Sequence, residues 1–365
     1  MNGHPEARAR RDYILEQKRG FGRRVIGVFP AYYPRELLLS MNILPVEIWD
    51  PPLESSHANA HLQSYICSVV KQGLELILQG KCRDLDAFLF PHTCDSIQNL
   101  ASIVNDYLGI EKPCYFFYHP KAPYKESSRW YYIKQLEDLA LRLEKQFGPL
   151  NHHEFKKKVE QGEDLRRTIG ELYRRRAEGT LGLSNVEFYR ILRQVEYLHP
   201  DDFLPVLTAI LKRPPDRKSK GLAVIVSGIL PNPPEVLEHL DRLGINVADD
   251  DFLSCSRRLL ARPAISTVPF EAMADSYFGM QPCCTKGSAI EDRLKSILDK
   301  AKSSSAKGVI FQMVKFCEPE LFDVPILVEG LKAEGLATLV IDTELNQGMS
   351  GQLVTRLEAF AEMIG

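Results

Sequence analysis

Apolar positions gather along the chain into short, nearly continuous runs. They fall at residues 24–29 (RVIGVF), 87–90 (AFLF), 115–118 (YFFY), 222–226 (LAVIV), 309–314 (VIFQMV) and 337–341 (ATLVI). Strict alternation is absent, which predicts strands covered by helices on both faces. Amphipathic stretches separate them, at 65–78, 94–108, 234–243 and 325–334. Strand and helix patterns in alternation predict parallel α/β sheets.

The predicted strands form two groups, one before residue 120 and one after residue 220. Residues 129–212 between them are rich in Lys, Arg, Glu and Leu with helical periodicity, and 213–221 (RPPDRKSKG) reads as a linker. The expected organisation is an α/β lobe over 1–128, a helical connecting segment over 129–215 and a second α/β lobe over 216–365.

Composition narrows the class. Of 365 residues, 44% are hydrophobic and 26% charged, near soluble globular averages. Lys and Arg number 46 against 48 Asp and Glu, giving a net charge of −2. That balance carries neither a nucleic-acid footprint nor a polybasic membrane signal. No apolar run approaches the length of a membrane span. The N-terminal stretch MNGHPEARARRDYILEQKRGFGRR is basic without an apolar centre, so no secretory signal is expected and the location is read as cytoplasmic.

The eight cysteines are Cys67, Cys82, Cys94, Cys114, Cys255, Cys283, Cys284 and Cys317. In a reducing compartment most would be small buried hydrophobes. Open parallel sheets, however, bind ligands beyond the carboxyl ends of their strands. Cys94 and Cys317 follow predicted strands there, and Cys67 stands near the start of a predicted helix. Helix N-termini favour thiolates and anionic clusters. Cys82, in a turn after Gly80-Lys81, and Cys114, just before a strand, look structural.

The chemistry of these thiols stays open at this level. No C-x-x-C occurs, which speaks against a structural zinc site and thioredoxin-type exchange. A cysteine nucleophile is possible, but no spacing selects a histidine partner. Iron–sulfur ligands can converge from distant loops, and the strand-end cysteines meet that requirement. There is no P-loop, no G-x-G-x-x-G after a strand and no G-x-S-x-G. Ser227-Gly228 reads equally as a close ligand approach or a plain turn. His92 and His119 read as hydrogen-bonded loop histidines, and Asp249-Asp250-Asp251 as a solvated loop run.

Several stretches together resemble the 2-hydroxyacyl-CoA dehydratase and benzoyl-CoA reductase family of iron–sulfur subunits. They are Phe29-Pro30 with Pro34-Arg35-Glu36-Leu37 and Ile43-Leu44-Pro45-Val46, then His61-Leu62-Gln63-Ser64-Tyr65-Ile66-Cys67 with Phe90-Pro91-His92-Thr93-Cys94-Asp95. Ser227-Gly228 through Val247 and Asp250 follow, then Gly308-Val309-Ile310, Lys315-Phe316-Cys317-Glu318-Pro319 and the closing Gly351-Gln352 to Phe360. The resemblance implies two flavodoxin-like lobes with parallel sheets and a [4Fe-4S] cluster held by Cys67, Cys94 and Cys317. It implies an activator ATPase, itself an iron–sulfur dimer, that passes single low-potential electrons to the cluster. An acyl-CoA would receive them, for dehydration through a ketyl radical or for reduction of an aromatic ring. Ser64 and His92, beside two of the cysteines, are candidates for hydrogen bonds to cluster or substrate. Arg356 and Glu358 would form a structural ion pair.

The same resemblance contains a second branch, homodimers with a double-cubane [8Fe-9S] cluster that reduce small molecules. Cys283 and Cys284 would then join the ligand set, with Cys255 or Cys114. A third expectation, of another class, is a non-catalytic relay or scaffold subunit beside a homologous sister chain.

Overall fold

The structure is a computed structural model that describes residues 10–50, 53–215 and 221–365. The linker expected at 213–221 and the basic N-terminal stretch lie partly outside the described residues. The chain divides into two compact units. The first comprises Met1–Arg167, Gln194–Val206 and Ala261–Met280, and the second Thr168–Arg193, Leu207–Leu260 and Gln281–Gly365.

The first unit runs α1 (Arg10–Phe21), β1 (Arg24–Val28), α2 (Arg35–Ser40), β2 (Ile43–Glu47), α3 (Ser68–Leu78), β3 (Ala87–Pro91), α4 (Asp95–Ser102), β4 (Cys114–Phe117) and α5 (Glu126–Phe147). Helix α6 (His152–Ala177) passes from this unit into the second, which holds α7 (Asn185–Leu192). Helix α8 (Pro200–Leu211) again crosses the division. The second unit continues with β5 (Leu222–Gly228), α9 (Pro234–Arg242) and β6 (Ile245–Phe252), while α10 (Pro269–Gly279) belongs to the first. Helix α11 (Ile290–Ser304), β7 (Gly308–Val314), α12 (Glu318–Ala333), β8 (Ala337–Thr343) and α13 (Gly351–Ile364) complete the second unit.

Each unit has one four-stranded parallel sheet, in the orders β2-β1-β3-β4 and β6-β5-β7-β8. Both are the 2-1-3-4 order of doubly wound, flavodoxin-like sheets. The fold is therefore α/β with two flavodoxin-like lobes. Every apolar run of the sequence is a strand, within two residues at each end. Strands β2 and β6 are additional, and both are edges. Pro45 lies inside β2, where a missing N–H is tolerated only at an edge. Strand β6 ends in the acidic run Asp249-Asp250-Asp251, so its pattern did not read as apolar.

Strand β7 is buried along its whole length, as a central parallel strand must be. Val309 and Phe311 pack with Ile225 against Ile297 and Ala301 of α11 and Leu327 and Leu331 of α12. Gly228 ends β5 against the Gln312 carbonyl, in space that a Cβ would occupy. The Ser227-Gly228 pair is thus the end of a strand in close approach to its neighbour. Helix α12 starts at Glu318, well before the expected 325, because Pro319 sits in its first turn, where a missing N–H costs nothing.

Candidate metal centre

Each of the three strand-end or helix-start cysteines occupies the same local position. Cys67 is the N-cap of α3, Cys94 of α4 and Cys317 of α12. The second and third follow the corresponding strands β3 and β7 of the two sheets. Cys67 and Cys94 have extended backbone, and at all three positions the helix begins one residue later, so the thiol stands over unpaired N–H groups.

In the first unit Cys67 and Cys94 come together. Burial, with the neighbouring Cys94 sulfur acting in the same direction, pushes the Cys67 thiol up to about 12. The N–H groups of Val69 and Val70 act the other way. Cys94 is also raised by burial, against the N–H groups of Ile97 and Ser96, the Thr93 side chain and the Lys121 ammonium. Neither sulfur makes a capping hydrogen bond of good geometry, so its lone pairs stay available. Two crowded, desolvated thiols give up their protons to solvent most readily when a thiophilic cation binds the sulfurs in their place. That donor set suits iron–sulfur ligation.

His92 lies two residues before Cys94. Its backbone N–H donates to the Phe117 carbonyl at 2.9 Å and its ring leans on Tyr118 with centroids 5.3 Å apart. Its Nε2 is buried without a hydrogen-bond partner among the described residues. Ser64 is exposed, and its carbonyl accepts from Lys71 Nζ at 2.9 Å. His119 is buried, its Nδ1 2.9 Å from the Tyr277 hydroxyl, which also donates to the Pro120 carbonyl at 2.7 Å. Thr93 and Lys121 were not singled out in the sequence. Lys121 Nζ donates to the Thr93 carbonyl at 3.1 Å, fixing the turn that carries Cys94.

Cys317 follows Phe316, which has a left-handed backbone with φ 63°. A bulky residue there stores about 1–3 kcal/mol of strain, and such strain concentrates at functional turns. The Cys317 N–H donates to the Val314 carbonyl at 3.0 Å.

The vicinal pair lies in the second unit beside the start of α12. Cys283 is the N-cap of a single 3₁₀ turn, Cys284–Lys286. Its sulfur is fully buried, 3.2 Å from Thr285 Oγ1, and the Cys284 thiol donates to Glu320 Oε1 at 3.3 Å. Hydrogen bonding to Cys283 and burial raise the Cys284 thiol far above the usual range. Topologically this pair precedes the helix leading into the third strand of its sheet, as Cys67 does in the other unit. Each unit therefore carries cysteine at both places.

Of the remaining thiols two are buried and Cys114 is half-buried. Cys255 is buried near Tyr173 and Tyr189, Cys114 opens β4 with its thiol 3.6 Å from the Lys112 carbonyl, and Cys82 is buried in its turn. Two expectations are corrected. The acidic run is neither a loop nor solvated: Asp250 accepts from Tyr173 and Tyr189 at 2.6 and 2.9 Å, and Asp251 from Arg257 and Arg293. Arg356 and Glu358 do not pair, because residues two apart on a helix point apart. Arg356 donates to the Val340 carbonyl and Glu358 stands 3.9 Å from His239. Among the described residues no three His, Cys, Asp or Glu side chains converge as a ready metal cage. No helix among them is long and apolar enough to cross a membrane.

Known proteins resemble the chain over nearly its whole length. The family described as 2-hydroxyglutaryl-CoA dehydratase, D-component, matches residues 30–364. The chain is 25% identical to the lactoyl-CoA dehydratase subunit beta of Anaerotignum propionicum, over 94% of this chain and 92% of that one. It is 24% identical to the (R)-phenyllactyl-CoA dehydratase beta subunit of Clostridium sporogenes, over 96% and 95%. It is 23% identical to a subunit of the benzoyl-CoA reductase of Thauera aromatica, over 94% and 91%. With nearly its whole length matched, the chain belongs to the 2-hydroxyglutaryl-CoA dehydratase D-component family.

Proposed function

We propose that the chain is the iron–sulfur component of an ATP-dependent reductase or dehydratase. It would take single low-potential electrons from a separate activator ATPase and deliver them to an acyl-CoA thioester, with a homologous chain or a second copy as its partner. The observation that carries this reading is the crowded Cys67–Cys94 pair, two helix N-caps with their sulfurs left uncapped. With Cys317 these thiolates would hold a [4Fe-4S] cluster, which supplies one-electron chemistry at low potential.

The protein's own work is positioning and charge. Helix N-termini favour the anionic sulfurs, and His92, whose buried Nε2 has no hydrogen-bond partner among the described residues, would donate the hydrogen bond that tunes them. Ser64, exposed before Cys67, is assigned to the substrate side. A second reading, the [8Fe-9S] double cubane, is favoured by Cys283 and Cys284 standing where Cys67 stands in the other sheet. Cys255 or Cys114 would complete that ligand set, and Cys82 is assigned no part in either reading.

Serine replacements test the assignment. Cys67→Ser, Cys94→Ser and Cys317→Ser should each lose most bound iron and the brown absorbance after anaerobic reconstitution. Cys82→Ser should keep both. Full iron in the Cys94→Ser chain contradicts the reading.

A further inference from the structure

The Arg257 guanidinium is completely buried and makes contacts of two kinds. Toward carboxylates it is bidentate: Nε and Nη2 donate to Asp251 at 2.9 and 2.8 Å, and Nη1 donates to Glu320 Oε1 at 2.6 Å. Toward sulfur, the same Nη1 lies 3.5 Å from Cys283 Sγ and 3.9 Å from Cys284 Sγ. Arg293 braces the assembly from behind, donating to Asp251, Glu320, Asp323 and Ser227 at 2.7 to 3.1 Å.

A guanidinium needed only as an ion-pair partner would turn all its N–H groups to the carboxylates. Here the shared Nη1 faces both sulfurs and cannot be redirected, because Asp251 fixes the plane of the group through two hydrogen bonds. Glu320 acts on the same sulfurs with opposite sign. It accepts the hydrogen bond that the Cys284 thiol donates, so it favours the neutral thiol, and its own charge opposes negative charge on sulfur.

We propose that Arg257 is the positioning residue of a second sulfur site at Cys283–Cys284, a fixed cation whose N–H stabilises negative charge on ligating sulfur, with Glu320 as its counterweight. The proposal rests on the second reading above, in which the vicinal pair ligates iron. Net charge and hydrogen bonds to sulfur set cluster potentials, so the two residues should move the potential in opposite directions. Loss of the cation disfavours the reduced state, and loss of the carboxylate favours it.

The test uses the full chain, reconstituted anaerobically. Iron per chain is counted and the reduction potential is followed by electron paramagnetic resonance. Wild type should hold about eight irons and Cys283→Ser/Cys284→Ser about four. Arg257→Gln should lower the potential of the second site, Arg257→Lys should lie between, and Glu320→Gln should raise it. Glu320→Gln carries the test alone if Arg257→Gln does not fold. Eight irons with unmoved potentials in the folded variants overturn the role of Arg257 while leaving the ligand reading intact. Four irons in both wild type and the double serine variant overturn the ligand reading, and the proposal with it.

Discussion

Replacing Arg293 by methionine should cost far more than replacing Arg174, although the two arginines make similar bonds. Arg293 donates to Asp251, Glu320 and Asp323 at 2.7 to 3.0 Å with its side chain 1% exposed. Arg174 donates to Glu171 and Glu178 at 2.5 to 2.7 Å but is 54% exposed. Hydrogen-bond geometry alone would rank them together. Burial separates them: without Arg293, Asp323 loses its pair, and Asp251 and Glu320 must share Arg257 in a dry interior. Removing one partner of a buried ion network costs about 3–5 kcal/mol. An exposed pair is worth about 0–1 kcal/mol, because water screens it and the freed carboxylates rehydrate. At about 2–4 °C per kcal/mol for a unit of this size, Arg293→Met should lower the second unit's melting midpoint by roughly 6–20 °C. Arg174→Met should lower it by no more than about 4 °C. Near-ultraviolet circular dichroism on the cluster-free chain reads the transition. Equal shifts in the two variants would refute the reasoning that burial, and not bond count, sets the cost.

Other outcomes follow from single residues. Burial holds His199 down at about 3, with its Nδ1 accepting the Asp201 N–H at 3.1 Å. The unfolded chain binds that proton near 6.5, so stability should be complete above this pH and fall as pH drops toward 3, with slope removed in His199→Gln. Phe316→Gly should be more stable than Phe316→Ala by about 1 kcal/mol in urea unfolding, reversing the usual order, because only glycine relieves the left-handed turn before Cys317. Gly228→Ala should destabilise the second unit by about 1–3 kcal/mol, its Cβ meeting the Gln312 carbonyl. An unchanged urea midpoint in Gly228→Ala would show that the β5–β7 approach is looser than described.

Much of the fold was legible because short, nearly continuous apolar runs mark parallel strands, and six of the strands carry such a run. Two of the four edge strands escaped for physical reasons: β2 tolerates a proline at its free edge, and β6 closes in three aspartates. Those aspartates looked solvated because Tyr173, Tyr189 and Arg293 are distant in sequence and the nearer Arg257 meets Asp251 only through the turn after β6. The strand-end places of Cys94 and Cys317 and the helix-start place of Cys67 were accessible in the local pattern, whereas the cap role of Cys317 was not, because α12 begins well before the expected 325. The pairing of Cys67 with Cys94, the Lys121–Thr93 brace and the guanidinium against the vicinal thiols were not. Each depends on contacts that only the packed sheet creates.

The most direct test is iron and acid-labile sulfide per chain, on protein purified and reconstituted without oxygen. A cluster on Cys67, Cys94 and Cys317 requires about four irons and four sulfides, and a second site at Cys283 and Cys284 raises the iron to about eight. A colourless chain that takes up no iron would contradict the cluster assignment altogether and leave a scaffold subunit in its place.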